Sequence, residues 1–124
     1  MPKITPIGCK VLGAENHEAC RGTLAVLDAA QATGRLGAMP GWELQDGRLQ
    51  RSFHCASFGA AMDFVQAIAL VAEAANHHPN LRVENKRQVD VVLWTRKLHG
   101  LTTLDFNLAA AIDTAFKGLR ECPA

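Results

Sequence analysis

The sequence carries almost no net charge. Thirteen Lys and Arg oppose twelve Asp and Glu, which leaves about +1 at neutral pH. Bulk electrostatics therefore point to neither nucleic acid nor an anionic membrane as a partner. The pairs Lys86-Arg87 and Arg96-Lys97 are too short for a phosphate track and read as solvated strand ends. Cysteine pattern is missing as well: Cys9, Cys20, Cys55 and Cys122 show no C-x-x-C and no metal-ligand rhythm. An even count permits disulfides, but 48% hydrophobic residues can build a core without staples, so reduced structural thiols are expected. The start, Met1-Pro2-Lys3-Ile4-Thr5-Pro6, has no apolar run of the signal-peptide kind. The most apolar stretch, Ala60 to Ala75, carries Asp63, Gln66 and Glu73 and falls short of the roughly 20 residues a spanning helix needs. No repeat, low-complexity tract or linker divides the chain. The expectation is a soluble, cytoplasmic protein with a loose arm over residues 1–13 and one domain over 14–124.

What is present is periodicity. From about Glu15 to Ala32, Ala19, Leu24, Leu27 and Ala30 fall near helical spacing, with Gly34 and Gly37 as stops. Trp42 to Phe53 alternates around Gln45-Asp46-Gly47, and Asp-Gly supplies the positive φ angles of a tight hairpin. Ser57 is the candidate cap of a deeply packed helix through Phe58, Ala61, Phe64, Val65, Ile68, Val71 and Ala72, ended by Pro79. Leu81-Arg82-Val83 and Val89 to Thr95 read as two further strands. Thr102-x-x-Asp105 starts a last helix along Phe106, Ala109, Ala110, Ile112 or Asp113, and Phe116, ending near Gly118. The order α-β-β-α-β-β-α predicts an α+β fold, a four-stranded antiparallel sheet with helices on one face.

The chemistry centres on His77-His78 before Pro79. Two readings stay open: a solvated helix end whose imidazole caps a carbonyl, or an acid–base pair in a cleft. A metal site is disfavoured, because adjacent helical side chains diverge by about 100° and no H-x-x-x-H is present. Glu73 precedes His77 by four residues, on one helical face, and either orients that imidazole or is simply solvated. His54 reads as an exposed strand residue, His17 as peripheral, and Trp94 as a core or interface anchor.

Arg51-x-Phe53-x4-Phe58-x2-Ala61-x2-Phe64, Glu73-x3-His77-His78-Pro79-Asn80 and Thr95-x4-Gly100-Leu101-Thr102-x2-Asp105-x2-Leu108-Ala109 together resemble the pterin-4a-carbinolamine dehydratases. The resemblance runs from about Trp42 to Phe116. It implies removal of water from a 4a-hydroxytetrahydropterin to give a quinonoid dihydropterin. One group protonates the departing hydroxyl and another takes the N5 proton. His77 and His78 inherit those roles, and Asp105 matches the family's acidic residue, although helix capping explains it equally well. No cofactor and no metal are implied.

Two departures qualify this. Where the family has a third histidine, this chain has Arg96, which donates hydrogen bonds but does not exchange protons. His99 is a candidate substitute. The segment Asn80 to Gln88 also lacks the aromatic residue the family places there, and is about one residue longer. Impaired or absent catalysis is expected. The divergent branch that this chain resembles is associated with α-carboxysomes and Rubisco assembly. It implies an assembly factor or chaperone with the Rubisco large subunit as partner and a carboxysome-associated location; an active dehydratase is the alternative. A homodimer is expected under both readings, because a four-stranded sheet leaves open edges.

Overall fold

The computed structural model describes residues 24–121 of the chain. The arm expected over residues 1–13, and Cys9, His17, Cys20 and Cys122, lie outside the described residues. Three helices and four strands follow one another in the expected order: α1 (Ala29–Leu36), β1 (Glu43–Gln45), β2 (Arg48–His54), α2 (Phe58–Ala75), β3 (Asn80–Glu84), β4 (Gln88–Leu93) and α3 (Thr103–Glu121). A 3₁₀ turn, Arg96–Leu98, precedes α3. The strands form one antiparallel sheet in the order β1-β2-β4-β3.

Alternation in the strands builds the two faces. Leu49 and Phe53 on β2, with Val89, Val91 and Leu93 on β4, are buried beneath the helices. Between them, Gln50, Ser52, Asp90 and Val92 face the uncovered side. The β1–β2 turn is the tight hairpin that Asp-Gly dictates, with Asp46 and Gly47 both at positive φ. At the centre, Phe53 meets Phe64 and Phe116 edge-on, with ring centroids 4.8 and 4.9 Å apart. Trp42 adds a fourth ring at 6.0 Å. Such edge-to-face pairs contribute about 0.5–1.5 kcal/mol each beyond burial.

Several sequence expectations need correction. The first helix does not cover the described part of Glu15–Ala32: Leu24 to Asp28 form no helix, and α1 runs through Gly34 to Leu36. Asp28 decides its start, because its side chain accepts from Gln31 N while the Gln31 side chain accepts from Asp28 N. Leu27 N instead donates to Leu101 O at 2.8 Å, tying this segment to the loop before α3. Helix α2 is capped by Ser57 as expected but is not packed all round. Ala61, Phe64, Ile68 and Ala72 are buried, while Phe58 and Leu70 are 54% and 74% exposed. A single sheet offers a helix only one surface to cover. By length and composition α2 could cross a membrane, yet here its Ala61, Phe64, Ile68 and Ala72 lie in the core together with residues of α3. In α3, Ala110 faces outward and Leu108 takes a core place, and the helix continues past Gly118.

Candidate functional site

Helix α2 ends two residues before His77, and proline is not what stops it. Asn76 adopts the left-handed conformation, φ 52° and ψ 41°, while Asn76 N bonds to Glu73 O and His77 N to Ala72 O. This paired closure satisfies the last carbonyls and swings the chain off the helix axis. The i to i+4 geometry expected between Glu73 and His77 is thereby broken. Glu73 instead reaches His78, with Oε2 2.7 Å from Nε2. His77 turns inward, where its Nε2 lies 2.6 Å from Asp105 Oδ1.

Asp105 sits in the first turn of α3 and is fully buried. Its position follows from a short closed loop. Thr95 and Gly100 form an isolated antiparallel bridge, which returns the chain so that Thr102 lies beside Thr95. Asp105 Oδ2 accepts from Thr102 N at 3.0 Å and from Thr95 Oγ1 at 2.9 Å. Thr95 spends its only hydroxyl proton on the carboxylate. Thr102 Oγ1 must therefore donate across the 2.8 Å gap to Thr95 Oγ1, while it accepts from Leu104 N at 3.2 Å. Each buried donor is paired, and Oδ1 is left for the imidazole. With Nε2–H directed at Asp105, the proton-exchanging position of His77 is Nδ1.

The two imidazole–carboxylate pairs differ in environment. His77 and Asp105 are 11% and 0% exposed, whereas His78 and Glu73 are 50% and 77% exposed. Burial fixes the first pair and strengthens its electrostatics; water screens the second. Both histidines line an open cleft of about 470 Å³, together with Leu24, Trp94, Thr95, Arg96, Lys97 and Leu104. Arg96 is tied to the rim, where its Nη2 donates to Asn80 Oδ1 at 2.6 Å and its guanidinium lies 4.6 Å from the centre of the Trp94 ring. Arg48, across from Trp94 on β2, stacks on the same ring at 3.9 Å. His99 lies elsewhere: it lines a separate depression with Val26, Arg48 and Gly100, beyond Trp94. His54 is exposed at the end of β2. Among the described residues, no group of three His, Cys, Asp or Glu is placed to hold a metal ion.

Sequence reasoning named the histidines, Asp105, Glu73 and Arg96, but missed the support. The Thr95–Thr102 hydroxyl pair rests on Thr-x4-Gly-Leu-Thr: His99, left-handed at φ 54°, turns the chain back, and Gly100 has no Cβ to strike Val26. Trp94 is half-buried at the cleft, and nothing in local spacing signals that Arg48 and Arg96 both lie over its ring. A second polar cluster lies away from the cleft. Trp42 Nε1 donates to both oxygens of Asp113, at 2.9 and 3.0 Å, and Arg51 Nη1 to Oδ1 at 3.0 Å. Burial pushes the Asp113 carboxyl above its ordinary range despite Trp42, Arg51 and Lys117, which pull it down.

A buried histidine–aspartate pair and a second histidine thus adjoin one cleft. The sequence profile described as pterin 4 alpha carbinolamine dehydratase matches residues 25–115. This chain belongs to that family. Relatives that carry a provisional pterin-4-alpha-carbinolamine dehydratase name agree with this. The Chloroflexus aurantiacus protein is 42% identical over 87 residues, covering 70% of this chain and 92% of its own. The Sinorhizobium medicae protein is 44% identical over 95 residues, with 74% and 89% covered. Among solved structures, the transcriptional coactivator/pterin dehydratase from Brucella melitensis superposes with a TM-score of 0.70 at 31% identity, over 73% of this chain and 98% of that one. A pterin dehydratase-like protein identified as a RuBisCO assembly factor in the α-carboxysome superposes with a TM-score of 0.54 at 22% identity, over 63% and 92% of the two chains. At that identity the second likeness concerns the fold alone.

Proposed function

We propose that this chain binds a pterin in the histidine cleft and dehydrates its 4a-hydroxy form, with catalysis impaired by Arg96. The His77–Asp105 pair carries this reading: a fixed imidazole, backed by a buried carboxylate, opens on a cleft. In the reaction the C4a–O bond breaks and the hydroxyl leaves as water after taking one proton. The N5–H proton departs to a base, and its electron pair forms the C4a=N5 double bond. Nδ1 of His77 suits the base, because Asp105 stabilises the imidazolium that results. His78, half exposed and paired with Glu73, suits the acid that meets the leaving hydroxyl and then recovers its proton from water. Arg96 carries no exchangeable proton near working pH, so a third relay position is lost. Turnover of freshly generated 4a-hydroxytetrahydropterin tests the reading. Rates above buffer that vanish in His77→Ala support it, and buffer-level rates from folded protein overturn it.

A second reading is a non-catalytic role as a Rubisco assembly factor, with the Rubisco large subunit as partner and a carboxysome-associated location. Arg96 favours it: a permanent charge at the cleft mouth grips a carboxylate on a partner chain as readily as it blocks proton exchange. The fold likeness to an assembly factor adds only the scaffold. Co-purification with Rubisco large subunit, lost in Arg96→Glu, supports this reading; no association removes it. A homodimer suits both readings, since among the described residues β1 and β3 each leave one edge without a strand neighbour.

A further inference from the structure

Arg96 and Lys97 give the rim of the cleft a positive side, whereas His77 and His78 are each paired with a carboxylate. Among the described residues, no aspartate or glutamate lines the cleft. Asp105 is hidden behind His77, and Glu73 lies outside the lining. Among the described residues, Arg48, Arg96 and Lys97 make no ion pair, and the ion pairs there involve Arg51, His77, His78 and Arg82. Asp46 shares a depression with Arg48 without pairing with it.

The placement of Arg96 is also fixed in advance. Asn80 holds one of its nitrogens at 2.6 Å, and the indole of Trp94, itself backed by Arg48 at 3.9 Å, holds its plane. Two guanidinium groups over one ring repel each other, and an anion beside them relieves that repulsion. The remaining N–H donors of Arg96 form a fork suited to phosphate or carboxylate, and Lys97 lines the same cleft.

From this arrangement we infer that Arg96 and Lys97 form an anion subsite of the cleft, which selects a pterin bearing a phosphate or carboxylate group on its side chain over a neutral one. The inference rests on the pterin reading, and it adds the charge of the substrate. The imidazoles face the ring, and the cationic rim takes the anionic substituent.

Equilibrium binding of 6-hydroxymethylpterin and of its phosphate ester tests this, because the two share the ring and differ in one charged group. The ester is expected to bind about tenfold tighter or better at low ionic strength. The advantage shrinks at high salt and disappears in Arg96→Gln and Lys97→Gln, both surface changes. Equal affinity for the two compounds overturns the inference and leaves the pterin reading intact. A third arm uses inorganic tripolyphosphate with tryptophan fluorescence, Trp94 being the indole that lines the cleft. Saturable quenching that requires Arg96, with neither ring compound bound, supports the subsite and overturns the pterin reading. No quenching and no ring binding overturns both.

Discussion

His77 Nε2 and Asp105 Oδ1 stand 2.6 Å apart across 28 residues of sequence, joining the end of α2 to the start of α3. The pair is both a structural tie and a chemical device. Asp105 meets donors from Thr95, Thr102 and His77, so its removal strands three polar groups where little water reaches. Asp105→Ala is therefore expected to cost about 3 kcal/mol or more, read as a lower urea midpoint with an unchanged slope. Asp105→Asn keeps the volume and one acceptor and should cost less. Equal midpoints for Asp105→Ala and the parent protein would mean that the buried carboxylate is no tie at all.

Asn76 controls where His77 points. Its left-handed backbone, φ 52°, is the turn that takes His77 off the helix and into the cleft. Asn76→Gly relieves that conformation and should preserve both fold and turnover. Asn76→Val places a β-branched side chain in the same region and is expected to cost about 1–2 kcal/mol. Turnover should fall further than the loss of folded protein explains, because His77 is displaced. Thermal melts run beside rate measurements separate the two effects, and a drop in stability with full specific activity would refute the link.

How far the sequence revealed these features depended on whether the signal was local. The Asp46-Gly47 turn and the Ser57 cap were legible, because turn and cap chemistry reside in a few adjacent residues. The His77–Asp105 partnership was not: two helix ends meet only after the sheet has formed. Glu73 misled for a related reason. Its spacing to His77 presumes a helix that continues, and the left-handed Asn76 ends it one residue earlier. The packing of α2 was overestimated because an apolar sequence does not say how much surface the rest of the fold can supply; Leu70 remains outside.

Asp90 and Asp113 should give stability opposite dependences on pH. Burial raises the Asp90 carboxyl, but hydrogen bonds from Ser52 and Gln88 and the charge of Arg82 outweigh it, so it lies below its ordinary range. Its contribution is present above the unfolded value of about 3.9 and is lost as pH falls through the folded value. Asp113 lies above its ordinary range, since burial prevails. The folded state then holds its proton more tightly, and this group's contribution falls as pH rises from about 3.9 through the folded value. Urea titrations of Asp90→Asn and Asp113→Asn across the acid range check the signs. Relative to each variant, the parent should gain stability with rising pH in the first case and lose it in the second. Parallel curves for either pair reject the corresponding assignment.

Arg96 offers the sharpest test of chemistry. The resemblance of the motifs implies a third histidine at this position, and Arg96 is exposed and held by Asn80 and Trp94 rather than by the core. Arg96→His should therefore fold normally while restoring a group that exchanges protons near neutral pH. Acid–base groups typically contribute on the order of a hundredfold, so a rise of about tenfold to a hundredfold in dehydration rate is expected. The gain should require His77, because an added relay cannot replace the base. Arg96→His in a His77→Ala background is accordingly expected to stay at buffer level. A rate unchanged by Arg96→His alone would place the limitation elsewhere, in the want of an aromatic residue from Asn80 to Gln88, since the indole of Trp94 is already stacked by two guanidinium groups.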